Sequence, residues 1–239
     1  METVKIAGLQ KMTLLDFPGK VACTVFLQGC NFRCPFCHNS DLLGAPKAVG
    51  IEEQELLDFL KKRRGLLDGV CITGGEPTLQ PELPQLLAAI KGMGYAVKLD
   101  TNGSNPDMLK NLVRGGLLDY VAMDIKNCEA RYGDTVGVPK PALAKMRESM
   151  AFLMTGDLDY EFRTTVVDEF HDETAIREMG NWLKELVPGV APKRLFLQPY
   201  ADRDSVLMRG LHTPSREKIE VFAELLRPCT QHIEIRGID

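Results

Sequence analysis

The chain alternates between short apolar runs and amphipathic segments, a pattern that favours strands followed by helices. The predicted strands lie at 22–27, 69–73, 96–100, 120–125, 160–167 and 194–198. The predicted helices lie at 51–64, 81–91, 106–114, 141–154, 173–186 and 214–227. Repeated strand–helix units indicate an α/β fold with a parallel sheet, because parallel strands need a crossover between them. Segments 4–13 and 233–236 are predicted to add edge strands.

Polar and glycine residues cluster just after the predicted strands rather than before them. Barrel enzymes build their sites from the carboxyl ends of strands and the loops that follow. We therefore predict a partial (β/α)6 TIM-like barrel, a single domain over residues 1–239, with a doubly wound open sheet as the alternative. The hydrophobic content of 44% is ample for the core of such a domain.

Three cysteines, Cys30, Cys34 and Cys37, follow the first of these strands with the spacing C-x3-C-x2-C. Thiolates are ligands that favour iron–sulfur clusters, zinc or Cu(I). Three cysteines on a [4Fe–4S] cluster leave one iron open to another ligand. The spacing therefore favours a cluster that binds and transforms a molecule as well as carrying electrons.

Three other interpretations of the cysteine run stay open. His38 could complete a Cys3His zinc site, although neighbouring side chains rarely converge on one tetrahedral ion. Residues 34–38, CPFCH, have the form of a c-type haem attachment, and Cys34 with Cys37 has that of a thioredoxin-like redox pair. Haem attachment needs export, for which no signal is evident, and a redox pair gives Cys30 no role.

A second motif, Gly74-Gly75-Glu76, follows the second predicted strand. Two glycines let the backbone approach a ligand closely, and exposed carbonyls with a carboxylate could hold an ammonium group. The alternative is a tight turn in which Glu76 starts a helix, where a negative charge is favourable.

The third and fourth strands also end in polar residues. Asp100, Thr101 and Asn102 could form a ligand site or only an Asx turn. Asp124 and Lys126 share one strand face because they lie two residues apart. They could form a buried ion pair or contact a ligand.

The cysteine spacing, with the aromatic Phe36 before the last cysteine, resembles that of the radical S-adenosylmethionine (radical SAM) superfamily. Residues 14–39, LLDFPGKVACTVFLQGCNFRCPFCHN, resemble the activating enzymes of glycyl-radical enzymes. The greatest resemblance is to the longer type of anaerobic ribonucleoside-triphosphate reductase activating protein, and pyruvate formate-lyase activating enzyme is a cousin.

The resemblance implies a [4Fe–4S] cluster on the three cysteines and S-adenosylmethionine on its open iron. The implied cofactor-binding residues are Phe36, Gly74, Gly75, Glu76, Asp100, Thr101, Asn102, Asp124, Lys126 and Arg163. Asp100 and Asp124 also resemble acidic positions that help to hold a monovalent cation. A histidine near the end of the sixth strand of the related enzymes is missing from LQPYADRD, where Gln198 or Tyr200 could replace it.

The resemblance also implies the reaction and its partners. One electron from a flavodoxin-like or ferredoxin-like donor cleaves S-adenosylmethionine, and the 5′-deoxyadenosyl radical takes a hydrogen from a glycine of a partner glycyl-radical enzyme. Anaerobic ribonucleotide reductase is the favoured partner. The alternatives are a pyruvate formate-lyase activase, a small-molecule radical SAM enzyme similar to 7-carboxy-7-deazaguanine synthase, and a non-enzymatic zinc or redox module.

Composition limits the kinds of partner and the cellular location that we expect for the protein. The net charge of −4 argues against a general nucleic-acid or membrane-surface partner. No apolar run approaches the length of a membrane span, and the N-terminus METVKIAGLQ lacks signal-peptide features, so we expect a cytoplasmic location with reduced thiols. His171 is expected to be a solvated loop residue, and Cys128 is placed in a loop after the fourth strand.

Overall fold

Short apolar runs form the strands of a mostly parallel sheet in the computed structural model, which describes residues 3–44 and 50–237. The strands are β1 (Ile6–Thr13), β2 (Ala22–Leu27), β3 (Gly69–Gly74), β4 (Ala96–Thr101), β5 (Tyr120–Asp124), β6 (Asp159–Val166), β7 (Leu195–Pro199) and β8 (Ile233–Ile235). The helices are α1 (Glu53–Lys62), α2 (Leu83–Gly92), α3 (Pro106–Arg114), α4 (Glu129–Val136), α5 (Leu143–Thr155), α6 (Glu173–Leu186) and α7 (Arg216–Leu226). Strand neighbours follow the chain order from β1 to β8.

The chain divides into two compact units. The first unit contains the described residues of Met1–Asn31, Asp41–Thr101 and Asn105–Ala122. The second contains the described residues of Phe32–Ser40, Asn102–Ser104 and Met123–Asp239. The single domain over 1–239 stays a prediction.

In the first unit, β1 runs antiparallel to β2, whereas β2, β3 and β4 are parallel to one another. Gly69 begins β3 opposite Ala22 and Ala96. A Cβ at this position would lie 2.9 Å from the ring of Phe17, which packs with Ala22 and Tyr120. The pairing of β2 with β3 runs in register from Ala22 opposite Gly69 to Leu27 opposite Gly74, and Leu27 comes shortly before the first motif cysteine.

In the second unit, β6, β7 and β8 are parallel, and the N–H of Ile125 just after β5 donates to the Arg163 carbonyl at 2.8 Å. Helix α6 begins at a capping residue, Asp172, whose carboxylate accepts from the Ala175 N–H at 2.9 Å. Its apolar face is buried, and the helix packs against α4 and α7.

The predicted segments 22–27, 106–114 and 173–186 coincide with β2, α3 and α6. The other predicted strands and helices, including both edge strands, are confirmed with end shifts of one or two residues. Helix α4 was not predicted, because Gly133 inside it and its β-branched residues weaken the helical signal. Cys128 lies in the short loop between β5 and this helix, so its predicted position in a loop after the fourth predicted strand is confirmed. Within the described ranges, no helix is both long and apolar enough to cross a membrane.

Candidate active site

The turn at residues 74–76 is hydrogen-bonded to the backbone that leads into Cys30. The N–H of Glu76 donates to the carbonyl of Gly29 at 2.8 Å. A Cβ on Gly75 would lie 1.9 Å from the Gly29 carbonyl oxygen and 3.2 Å from the Cys30 nitrogen. Position 75 therefore requires glycine, and the first cysteine and the glycine turn form one local structure.

The carboxylate of Glu76 is buried, with 1% of the residue exposed. Its Oε1 accepts from the Thr78 N–H at 3.1 Å and from the Thr101 hydroxyl at 2.7 Å. Glu76 thus caps a short 3-10 helix, Pro77–Leu79, as the turn interpretation predicts. Gly74 has a φ of +115°, which a residue with a side chain rarely adopts. An ammonium site at this turn stays a prediction.

Asp100, at the end of β4, is paired with a buried lysine of the same strand. Lys98 is 2% exposed, and its ammonium group donates to Asp100 Oδ1. The Cys71 sulfur lies 3.8 Å from both Lys98 Nζ and Asp100 Oδ1. The lysine holds the carboxylate in one position and stabilises its negative charge.

Cys34 and Cys37 lie on one turn of the second unit, in which the Cys37 N–H donates to the Cys34 carbonyl at 3.0 Å. Phe36 between them is buried, and Lys126 Nζ lies 6.0 Å from the centre of its ring. Burial raises the pKa of the Cys37 thiol, while the Asn39 N–H and the charge of Lys126 partly oppose that rise. A positive charge beside the turn favours the thiolate forms that a metal needs.

Asp124 accepts from two cations. Lys126 Nζ lies 2.9 Å from Asp124 Oδ2, and Arg163 Nε lies 3.0 Å from Asp124 Oδ1. Burial favours the neutral carboxyl, but the charges of Arg163 and Lys126 are stronger and hold the pKa of Asp124 at about 2. Burial opposes the charged form of Lys126, but the charges of Asp124 and Cys34 raise its pKa above the usual value. The ion pair that the sequence allowed for Asp124 and Lys126 is observed, although β5 ends at Asp124 and Lys126 lies just beyond the strand.

Asn102 forms the Asx turn that the sequence allowed. Its side-chain oxygen accepts from the Ser104 N–H at 2.9 Å. Gly103 between them has a φ of +73°, and a Cβ there would lie 2.0 Å from the Met123 methyl carbon. The Ser149 hydroxyl donates to the Gly103 carbonyl at 2.7 Å, which fastens this turn to α5.

The backbone of Lys126 is held on both sides. His171 Nε2 lies 2.9 Å from the Lys126 carbonyl, and its Nδ1 accepts from the Val167 N–H at 3.1 Å. The Tyr132 hydroxyl lies 3.3 Å from the Lys126 nitrogen. The expectation that His171 is solvated is wrong: it is 1% exposed, and burial lowers its pKa.

Two residues that support the site were not found from the sequence. Lys98 carried a signal, because it precedes Asp100 by two residues on one strand face, the same relationship as Asp124 and Lys126. His171 carried none, because its partners are main-chain groups that a sequence pattern does not reveal.

The predicted site residues fall into one group in each unit. The first unit contains Cys30, Gly74, Gly75, Glu76, Asp100 and Thr101, and the second contains Cys34, Phe36, Cys37, Asn102, Asp124, Lys126 and Arg163. In the part of the chain that the structure describes, no three His, Cys, Asp or Glu side chains are arranged to hold one metal ion. A cluster does not need that arrangement, because each cysteine binds a different iron. The thiol donors and the neighbouring Lys126 charge fit such a cluster.

An α/β fold with thiol donors after the first parallel strand fits an iron–sulfur enzyme. The radical SAM superfamily profile matches residues 24–177, well over half of the chain. The chain belongs to the radical SAM superfamily. It is a radical SAM enzyme, and the cofactors of that family are a [4Fe–4S] cluster and S-adenosylmethionine.

Two curated relatives match most of the chain. The first, from Methanocaldococcus jannaschii, is named "Putative glycyl-radical enzyme activating enzyme"; it is 31% identical over 245 residues, 98% of this chain and 96% of that protein. A 7-carboxy-7-deazaguanine synthase from Aquifex aeolicus is 37% identical over 204 residues, 85% of this chain and 76% of that protein.

A solved structure shares the fold. A domain of pyruvate-formate lyase-activating enzyme from Bacteroides vulgatus superposes with a TM-score of 0.58 at 22% identity, over 71% of this chain and 99% of that one. The predicted fold class, an α/β fold of the radical SAM type, is confirmed.

Proposed function

We propose that this chain is an activating enzyme that cleaves S-adenosylmethionine reductively and removes a glycine hydrogen from a partner glycyl-radical enzyme. The observation that carries the proposal is the likeness to the archaeal relative, which covers nearly the whole of both proteins. Anaerobic ribonucleoside-triphosphate reductase is the favoured partner, on the resemblance of residues 14–39. When bound, the cluster supplies the electron that cleaves the cofactor. A flavodoxin-like or ferredoxin-like donor in the cytoplasm would reduce the cluster.

The roles of the residues follow from this proposal. Cys30, Cys34 and Cys37 hold the cluster, and the turn at 74–76 orients the methionyl amine. The bond from the Glu76 N–H to Gly29 supports both roles, because it links that turn to the residue before Cys30. The remaining residues that we propose to contact the cofactor are Phe36, Asp100, Thr101, Asn102, Asp124, Lys126 and Arg163.

The Asp124 group suits an anionic part of the ligand. Two cations, Lys126 and Arg163, contact the Asp124 carboxylate and place positive charge at this position. A carboxylate such as that of the methionyl moiety would be attracted to it. The monovalent cation at Asp100 and Asp124 stays a prediction. Exchanging potassium for a bulky organic cation at constant ionic strength tests it, and unchanged cofactor cleavage would contradict it.

Electron paramagnetic resonance spectroscopy under anaerobic conditions tests the proposed function. The reconstituted protein is mixed with S-adenosylmethionine, a reductant and an anaerobic ribonucleotide reductase from the same source. We expect a glycyl-type doublet that requires every component. Cofactor cleavage without a doublet would leave the superfamily assignment intact and exclude this reductase as the partner.

A second candidate is a radical SAM enzyme that acts on a small molecule. The likeness to the synthase from Aquifex aeolicus, over 85% of this chain, favours it. Product analysis separates the two, because activation leaves one stable radical on a polypeptide, whereas a metabolic enzyme turns over its substrate many times. Multiple turnovers of a 7-deazaguanine precursor would support the second candidate.

A further inference from the structure

A loop that follows β7 contacts the segment that carries the second and third motif cysteines. We name residues 200–208 the clamp loop and residues 34–40 the cysteine segment. The Met208 N–H donates to the Pro35 carbonyl at 2.9 Å. His38 Nε2 lies 2.7 Å from the Ala201 carbonyl. The two ends of the clamp loop therefore bind on either side of Cys37.

Ser205 joins the same two segments through both its side chain and its main chain. Its hydroxyl donates to the His38 carbonyl at 2.6 Å, and its carbonyl accepts from the Ser40 hydroxyl. The ring of Tyr200 stacks on the His38 ring, with centres 5.9 Å apart and planes at 28°. His38, which follows Cys37, is thus held both at its ring and at its carbonyl group.

The clamp loop is itself anchored to the sheet. The Tyr200 N–H donates to the Val166 carbonyl at the end of β6 at 2.8 Å. The Tyr200 hydroxyl donates to Asp202 at 2.9 Å, and the Thr213 hydroxyl donates to the Tyr200 carbonyl at 2.7 Å. These anchors hold the clamp loop in place relative to the end of β6, and the clamp loop in turn holds the cysteine segment.

We propose that the clamp loop is a positioning element that holds Cys34 and Cys37 in a ligand-ready conformation before the cluster binds. The cysteine segment contains no strand or α-helix, so ordering it upon metal binding would cost conformational entropy. Contacts with the clamp loop order the segment in advance, which strengthens binding by reducing that cost. The proposal rests on the assignment of these cysteines as cluster ligands. Tyr200 and Ser205 act through His38 and need no contact with the cluster.

Thiol alkylation of the cluster-free protein tests the proposal. The variants are Ser205→Ala and Tyr200→Leu, alone and combined, and site-resolved mass spectrometry gives the rate at each cysteine. We expect the rates at Cys34 and Cys37 to rise about tenfold in the double variant, as loss of roughly one hydrogen bond and one ring contact implies. Cys30 serves as an internal reference, because the Gly29 N–H before it donates to the Leu42 carbonyl within the first unit.

Thr155→Ala is the matched control. It removes a hydroxyl that donates to a main-chain carbonyl at 2.9 Å on the exposed end of α5, far along the chain from the cysteines. Its alkylation rates should equal those of the parent protein. Unchanged rates at Cys34 and Cys37 in the double variant, or an equal rise at all three cysteines, would overturn the proposal.

A second measurement follows the loaded protein. After reconstitution, we expect air to bleach the cluster absorbance several-fold faster in the double variant than in Thr155→Ala, at equal initial iron and sulfide content. Equal bleaching rates would contradict a positioning role. Neither measurement involves the partner enzyme, so the clamp could be confirmed even where no glycyl radical forms.

Discussion

The main-chain N–H of Glu76 donates a 2.8 Å hydrogen bond to the carbonyl of Gly29, which immediately precedes Cys30. A main-chain hydrogen bond therefore joins two motifs that are distant in the sequence. The turn that we propose to orient the cofactor amine and the backbone that presents the first thiolate move as one structure. A change in either motif should disturb the other.

Gly75→Ala tests this coupling. The added methyl group would lie 1.9 Å from the Gly29 carbonyl oxygen, so the backbone before Cys30 must shift. We expect a loss of about 2 kcal/mol in the free energy of unfolding and a marked loss of iron and labile sulfide after anaerobic reconstitution. Gly92→Ala is the control, because an added Cβ there meets nothing within 4 Å. Equal iron retention in the two variants would contradict the coupling.

Cys34→Ala should abolish the cluster and the formation of 5′-deoxyadenosine, because only two of the three irons that need a cysteine ligand would keep one. Cys23→Ala is the comparison. Burial raises the pKa of the Cys23 thiol to about 12, so at neutral pH it stays a thiol in the core of β2. We expect Cys23→Ala to retain acid-labile sulfide. Cofactor cleavage by fully reconstituted Cys34→Ala would exclude Cys34 as a ligand.

Asp124 should make the cluster-free protein sensitive to acid. Its pKa in the folded protein is about 2, below the value of about 4 expected when unfolded, so its stabilising contribution is present above pH 4. That contribution, about 2 kcal/mol, should be lost as the pH falls from about 4 to about 2.

Asp124→Asn should lower the free energy of unfolding at pH 7, because two cations lose their counter-charge, and the difference from the parent should shrink near pH 2. Denaturant titrations at a series of pH values measure both effects. Asp58→Asn, which removes an exposed pair with Lys61 on α1, is the control and should leave the profile nearly unchanged. A difference that is independent of pH would refute the prediction.

Lys98 should act through Asp100. Lys98→Met leaves a largely buried carboxylate without its ammonium partner, so we expect a loss of about 3 kcal/mol in the free energy of unfolding and weaker S-adenosylmethionine binding. In a double-mutant cycle with Asp100→Asn, the combined loss should be smaller than the sum of the single losses. Additive losses would show that the two residues are independent.

Local periodicity was enough to locate most elements. The amphipathic run at 173–186 gives α6 with its observed ends, because its apolar spacing and the capping residue Asp172 are properties of neighbouring residues. The eight residues of α4 escaped prediction, since their helix depends on packing as well as on propensity. Packing determines where this helix ends. Its C-terminal residue is followed by Gly137, where a Cβ would lie 2.3 Å from the Arg33 carbonyl oxygen.

The sequence by itself determined the order of strands and helices, the three thiol donors and the superfamily resemblance, because periodicity and motif spacing are encoded within short segments. Only the tertiary structure decided that a buried His171 holds the main chain of Lys126 and that the Ser205 hydroxyl bonds to the His38 carbonyl. Those contacts depend on strand register and loop packing, which bring together groups whose separation along the chain carries no periodic signal.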